Sequence, residues 1–392
     1  MKRFQSRPFD LAVDTISEQE IEALIEWLRG YPRLTMWEET KRFEQAWSEW
    51  LGVRFSVLCN SGSSANLLMY AALDSAKRSG NRKVVVPATG WVTTVSPGIQ
   101  LGWQPCMCGT DPVTFGADID VLKAVLERER PDTVVIVHVL GVPNRMSEIM
   151  ELREAYGFNL LEDCCASHGA RHQGRQVGTF GTMSAFSFYY GHHMSTIEGG
   201  IVSTDDQELY HHLLMLRSHG WLKDVPDEYG ADIMRRYGWD PFFKPFCFVV
   251  PGYNLRPSDL NARIGLLQIP HLRETVERRT ENHARFQERL RGRLGFAEGL
   301  PGDTISSISF CAVATSTAQR RAIVSAMDEH RMDTRLFTAG NLGRHPFWSD
   351  RYGVFADPQA DKLFDCGFFL PNNQRVGLAE VDQICDVVLA AT

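Results

Sequence analysis

Hydrophobic positions along the chain switch repeatedly between a helical spacing and short unbroken runs. Ser17 with Glu20 has the form of a capping box, in which each side chain satisfies the other's free N–H, and it predicts a helix ending near Gly30. A second amphipathic stretch covers 37–51. Short β-branched runs follow at 55–59, 83–86, 133–139 and 159–162, with helical spacing between them at 64–73, 119–129 and 146–156. Apolar strands that alternate with helices imply a mostly parallel sheet covered on both faces, because parallel neighbours can be joined only by crossovers. After Met183 the pattern changes to two strand-like segments, 184–190 and 200–204, separated by an irregular stretch and followed by a helix. From Pro257 onward come long helices, one strand pair (306–315 with 334–337), a helix over 317–330 and a last helix over 378–391. The expected architecture is α/β, with a large domain over 12–255 and a smaller C-terminal α/β domain over 256–392, residues 1–11 packing nearby.

Composition narrows the function classes. With 44% hydrophobic and 23% charged residues in 392, the chain is an ordinary globular one. Its net charge of −7 argues against whole-surface binding to nucleic acid or anionic lipid, so an anionic ligand must be met locally. The first ten residues carry charge with no apolar stretch behind them, and no apolar run approaches a membrane span; a cytoplasmic protein is expected. The nine cysteines, among them the neighbours Cys164 and Cys165, follow neither a disulfide framework nor metal-ligand spacing.

Ligands of open α/β sheets lie at the carboxyl ends of the strands. Four loops there stand out. Asn60 through Asn66 joins a strand to a helix and offers hydroxyls, backbone N–H groups and a helix N-terminus to an anion, although Ser and Gly also cap helices for structural reasons alone. Asp163 ends an apolar strand, where a carboxylate can serve simply as a cap. Trp91 follows Pro87-Ala88-Thr89-Gly90 at a strand-to-helix junction, where a large aromatic taken by itself reads as core packing. Ser187 lies five residues before His192 in an irregular run of two histidines that leads to Gly199-Gly200.

Together these residues resemble the pyridoxal-phosphate-dependent sugar aminotransferase family, with the aspartate-aminotransferase (type I) fold, and the resemblance covers nearly the whole chain. It implies that Gly62, Ser63 and Ser64 hold the cofactor phosphate, that Trp91 stacks on the ring, that Asp163 pairs with the pyridinium nitrogen and that Ser187 precedes the catalytic position. Further family-like stretches are Val137-His138 with Gly141 and Pro143, 174–181, Arg217-Ser218-His219-Gly220 and 252–256. The last is donated across a dimer interface in the family, which implies a homodimer with shared active sites and gives Asn254 a contact to the neighbour's cofactor phosphate. His219 matches a second active-site histidine. Arg335 matches a small-domain arginine that takes the glutamate carboxylate or the sugar nucleotide's phosphate, a pairing suited to a guanidinium. Ala166 departs from the aminotransferase pattern, where a Gln is common near the ring hydroxyl.

The decisive departure is at the family's lysine, whose place His192 takes. No lysine occurs between Lys123 and Lys223, so a shifted alignment cannot restore one. An imidazole cannot make the covalent imine link of that lysine, yet it can move a proton near neutral pH. The run from His192 to Gly200 is similar to the branch of the family that removes the 3-hydroxyl in making 3,6-dideoxysugars. Members acting on CDP- or TDP-sugars carry a [2Fe–2S] cluster on cysteines after the segment matching 217–220; only Cys247 stands there, so a cluster-free enzyme for a GDP-linked sugar is implied, without an iron–sulfur cluster or reductase. The resemblance also implies L-glutamate as donor to form pyridoxamine phosphate, a 4-keto-6-deoxyhexose nucleotide as substrate, and ammonia as coproduct. A nucleotide-sugar 4-aminotransferase and an inactive sugar-nucleotide-binding homologue are the alternatives.

Overall fold

The computed structural model describes residues 9–392. Helices α1 (Glu18–Arg29) and α2 (Glu38–Leu51) come first, and the capping box forms: Glu20 N donates to Ser17 Oγ at 3.2 Å and Ser17 N to Glu20 Oε2 at 2.5 Å. In chain order there follow β1 (Phe55–Cys59), α3 (Gly62–Ser75), β2 (Lys83–Pro87), α4 (Val92–Gln100), β3 (Gln104–Cys108), α5 (Ile119–Glu129), β4 (Thr133–Val137), α6 (Met146–Tyr156) and β5 (Asn159–Asp163). A small hairpin, β6 (Arg171–His172) with β7 (Arg175–Gln176), precedes β8 (Met183–Ser187), β9 (Gly200–Thr204) and α7 (Gln207–Arg217).

Seven strands form the main sheet in the order β1-β9-β8-β5-β4-β2-β3. Only β9 runs against the others, pairing antiparallel with both β8 and β1. The carboxyl ends of the remaining six strands therefore share one edge of the sheet. The sequence pattern passes over α4 and β3 because both carry breakers, Pro97 and Gly98 in one and Pro105 in the other. Position explains the tolerance: β3 is an edge strand, and Pro is confined to edges because it cannot donate to a ladder.

Helices α8 (Asp227–Tyr237) and α9 (Asp259–Gln268) lead to the long α10 (Leu272–Leu290). Beyond it lie β10 (Ser309–Val313), α11 (Thr317–Glu329), β11 (Arg335–Leu336), α12 (Pro346–Tyr352), α13 (Pro358–Cys366), β12 (Gly367–Pro371) and α14 (Leu378–Ala390). The expected pairing of the 306–315 segment with the 334–337 segment is not made. β10 and β11 both pair antiparallel with β12, which lies between them and which Gly367 and Pro371 disguise in the sequence. Phe286, Phe310, Phe337, Phe368 and Phe369 fill the core under this sheet, and Phe9 and Leu11 pack against it. Residues 1–8 of the expected N-terminal segment lie outside the described residues; at its end, Asp333 N donates to Phe9 O at 2.9 Å. Among the described residues, no helix is long and apolar enough to cross a membrane.

Candidate active site

The turn after β1 is built for close approach. Ser61 caps α3, its Oγ accepting from Ser64 N at 3.1 Å, and Ser64 Oγ lies 3.0 Å from the same hydroxyl. The opening amides of a helix have no intrahelical acceptor, and its dipole places partial positive charge there. Gly62 has no space for a side chain: a Cβ would stand 2.5 Å from Ser187 Cβ and 3.0 Å from Cys165 Sγ. At Gly200 a Cβ would meet Ser61 O at 2.2 Å. These glycines let the segments at the ends of β1, β5, β8 and β9 approach one another closely. Ser63 is exposed, with its Oγ donating to Thr93 Oγ1 at 3.3 Å, while Ser187 is buried.

Asp163 ends β5 in a buried position. Its Oδ2 accepts from Thr94 Oγ1 at 2.6 Å and Asn66 Nδ2 at 2.9 Å, and its Oδ1 accepts from Cys165 N at 3.1 Å. Donors from α3, α4 and its own strand end thus fix the carboxylate's orientation. Trp91 stands at the start of α4 with 53% of its surface exposed, unlike the packed Trp47 and Trp103, so it offers an open aromatic face at the mouth of the same edge.

His192 lies in the irregular stretch between β8 and β9, half-buried, and its Nδ1 is enclosed without a hydrogen-bond partner among the described residues. Its ring centre is 6.3 Å from that of His168, which in turn is 5.0 Å from that of His193. Burial, with the positive charges of Arg279 and Arg335, pushes His192 down to about 4. At neutral pH the ring is therefore uncharged and has a lone pair for a proton. His193 has a different employment: its Nε2 lies 3.0 Å from Ser306 O and 2.9 Å from Ser306 Oγ, fastening the irregular stretch to the segment before β10.

The remaining expected residues are less closely joined to this group. Arg335 is exposed on β11, 5.2 Å from the Phe369 ring, and reaches His192 through its charge. His219 adopts a left-handed backbone (φ 60°), and its Nε2 accepts from Arg256 Nη1 at 2.6 Å. Asn254 is exposed, bridged through its backbone to Ser218, while the next residue's carbonyl, Leu255 O, accepts from Asn60 N at 3.1 Å. This strand segment thus runs beside the turn into α3, with His219 and Asn254 in contact with their own loop rather than with His192.

Sequence reasoning names Asn66 only as the end of the candidate loop after β1, without its contact to Asp163, and misses Thr94, His168 and Arg279. Asn66 follows Gly62 by four residues, a full helical turn, and could have been read from that spacing; Thr94, His168 and Arg279 come from separate elements and carry no local signal. Another buried group, His138, Glu162 and Cys164, has ligand-type atoms within 4.8 Å of one another. Its hydrogen bonds are already committed. Glu162 accepts from Gly181 N at 2.5 Å, Gly178 N at 2.8 Å and His138 Nε2 at 3.1 Å, while His138 Nδ1 accepts from Asn144 N at 3.2 Å, so the group is a fastener between β4 and β5.

A glycine-lined helix start, a fixed carboxylate and an open indole fit a flat, phosphorylated heteroaromatic ring: anion at one end, ring nitrogen at the other. Comparison with known proteins agrees. The chain matches the DegT/DnrJ/EryC1/StrS aminotransferase family over residues 14–389. It is 40% identical over 283 residues to a GDP-4-keto-6-deoxy-D-mannose 3-dehydratase of Yersinia pseudotuberculosis, covering 71% of each chain. To the enzyme of that name from Escherichia coli O55:H7 it is 31% identical over 388 residues, or 97% of this chain and 99% of the relative. A crystal structure of GDP-4-keto-6-deoxymannose-3-dehydratase with a trapped PLP-glutamate geminal diamine superimposes with a TM-score of 0.86 at 29% identity, over 97% of this chain and 100% of that one.

Proposed function

This chain belongs to the DegT/DnrJ/EryC1/StrS aminotransferase family, and we propose that it acts as a dehydratase within it. The substrate class is a nucleotide-linked 4-keto-6-deoxyhexose, GDP-linked as in the relatives' names; its 3-hydroxyl leaves as water, L-glutamate supplies the amino group and two electrons by becoming 2-oxoglutarate, and hydrolysis releases a 4-keto-3,6-dideoxy sugar and ammonia. One observation carries this reading: in a chain that keeps the serine–glycine turn, the indole at 91 and the carboxylate at 163 expected to hold the cofactor, the position of the family's lysine is a histidine that is neutral at physiological pH.

Pyridoxal phosphate, or its pyridoxamine form, supplies an electron-withdrawing ring that stabilises negative charge on the carbon beside its nitrogen. The chain's own residues do the rest. Ser63, Ser64 and the start of α3 would bind the phosphate, and Gly62 lets Ser187 pack against that turn. Asp163, held by Asn66 and Thr94, keeps a proton on the ring nitrogen by charge pairing. Trp91 would offer its exposed indole to one face of the ring. His192 would act as the base, taking a proton through its imidazole, work that a positioned base accelerates by roughly 10²–10⁴-fold. Arg335 receives a carboxylate or diphosphate, and Asn254 and His219 serve the site of a second copy of the chain in a homodimer.

The deciding experiment is incubation of the protein with pyridoxal phosphate, glutamate and a panel of 4-keto-6-deoxy nucleotide sugars, following product mass and free ammonia. Loss of the 3-hydroxyl with ammonia release is expected. A stable 4-amino sugar would instead make the protein a 4-aminotransferase.

A further inference from the structure

From the end of α8 the chain shows solvent a run of aromatic side chains: Tyr237, Trp239, Phe242, Phe243, Phe246 and Phe248, each between 48% and 83% exposed. The rings lean on one another rather than on the core. Phe242 and Phe243 are 5.4 Å apart centre to centre and Trp239 is 6.4 Å from Phe243, while the Trp221 ring lies 6.4 Å from Phe246 and 6.1 Å from Phe248. At about 150–250 Å² for a whole aromatic side chain, the uncovered share amounts to roughly 600–900 Å². That exceeds the about 300–600 Å² of the largest apolar patch on an ordinary monomer and approaches the about 800 Å² that each partner gives to a stable interface.

Three observations identify what covers it. Four basic and five acidic side chains share residues 221–248, so the surface has no net pull on an anionic membrane or a nucleic acid. The patch also continues the strip already described: Phe248 forms an antiparallel bridge with Trp221, the Trp221 ring is 5.1 Å from that of His219, and Ser218 bridges Asn254. Finally, the stretch that carries His192 leaves a second apolar group uncovered, Tyr189 and Ile197. Ile197 is held at φ 71°, where a β-branched residue rarely goes, by its own N–H to Ser195 Oγ at 3.0 Å and by Asn261 Nδ2 donating to Thr196 O at 2.6 Å. An apolar side chain is thus kept at the surface at a cost to the backbone. In a two-fold dimer each contact is made twice with the roles exchanged, so two unlike apolar groups on one chain are covered together. We infer that residues 237–248 of one copy pack on the second copy's Tyr189 and Ile197 and wall the side of its site beside His192. This rests on the proposed reading that His219 and Asn254 serve a second copy.

The test compares the parent with the double variant Phe242→Ser, Phe246→Ser, at two positions whose side chains stand mostly in solvent in the single chain. In sedimentation at micromolar protein the parent should have twice the chain mass, and the double variant should dissociate about a hundredfold more readily, the effect of losing two central aromatic contacts. With the copies apart, retention of pyridoxal phosphate should fall by about tenfold or more in fluorescence titration. Hydrogen exchange of the parent decides the matter even if the double variant fails to fold: amides of 189–197 and 237–248 should be protected at high protein concentration and exchange faster on dilution. A parent with the mass of one chain, a double variant that keeps the dimer mass, a monomeric variant that holds pyridoxal phosphate as tightly as the parent, or exchange in these segments that ignores concentration overturns the proposal. None of these measurements needs turnover. A protein that meets them but releases no ammonia keeps this surface and loses the dehydratase reading, whereas one that dehydrates the sugar while its double variant stays dimeric keeps the reading and loses the surface.

Discussion

In the proposed reaction the difference between a primary amine and an imidazole at position 192 decides the chemistry. Replacing His192 by Lys puts an amine within reach of the cofactor's aldehyde, in surroundings where burial and two arginines favour its neutral, nucleophilic form. His192→Lys should therefore retain a cofactor absorbance that borohydride fixes covalently to position 192, while dehydration falls by roughly 10²–10⁴-fold with loss of the imidazole. Borohydride labelling of the parent protein at another lysine, or an unchanged rate in the variant, would remove His192 from the reaction. The neighbouring histidine shows why residue type alone misleads. His192 and His193 are adjacent and identical in composition, and the Nδ1 of each lacks a hydrogen-bond partner among the described residues, yet only His193 is tied through its Nε2 to Ser306. The missing lysine can be read from the sequence; which of the two rings is free depends on a contact 113 residues away.

Elements in this chain borrow their ends from one another. Trp37 at the start of α2 makes no side-chain cap; Asp259, at the start of α9, supplies it by accepting from Trp37 N at 2.7 Å, Glu39 N and Thr40 N at 3.1 Å, and Thr40 Oγ1 at 2.7 Å. Losing a cap typically costs about 1–2 kcal/mol, and the group here is buried, so Asp259→Ala should cost at least about 2 kcal/mol in urea unfolding. A change within about 0.5 kcal/mol would show that water or a neighbour replaces the cap. The same dependence limits what local pattern can reveal. β1, α5, α6 and β9 match their periodicity because their apolar residues face a neighbour on a regular face, whereas β12 is bounded by Gly367 and Pro371 and becomes a strand only because β10 and β11 flank it.

Two properties belong to the molecule as a whole. Burial holds His168 and His193 well below the usual histidine range, His192 at about 4 and His283 at about 3. The unfolded chain would protonate these rings near about pH 6.5. Their folded values are depressed, so the folded state binds fewer protons than the unfolded one below that pH, and stability is full above about 6.5 and lost as pH falls toward 4. The thermal midpoint should drop steeply across that window; a level midpoint would mean that the rings already carry charge in the folded protein. The second property concerns assembly. Asn254 is exposed beside the turn into α3, and in a homodimer with shared sites it would meet the partner's cofactor phosphate. Asn254→Ala should weaken retention of pyridoxal phosphate by about tenfold, the worth of one hydrogen bond to a charged group, measured by fluorescence titration. Unchanged retention would detach Asn254 from that role.

The alternation of strands and helices, the serine–glycine turn, the carboxylate at 163 and the absence of lysine between 123 and 223 were all determined by the sequence alone, because each is a local pattern or a matter of residue identity. Tertiary structure decided how they meet. Gly62 and Gly200 matter because Ser187 and Ser61 O occupy the space where a side chain would be, and Asp163 is oriented by Asn66 and Thr94 from two different helices. Steric exclusion, hydrogen-bond geometry and desolvation act between residues far apart in the chain, so no window along the sequence contains them.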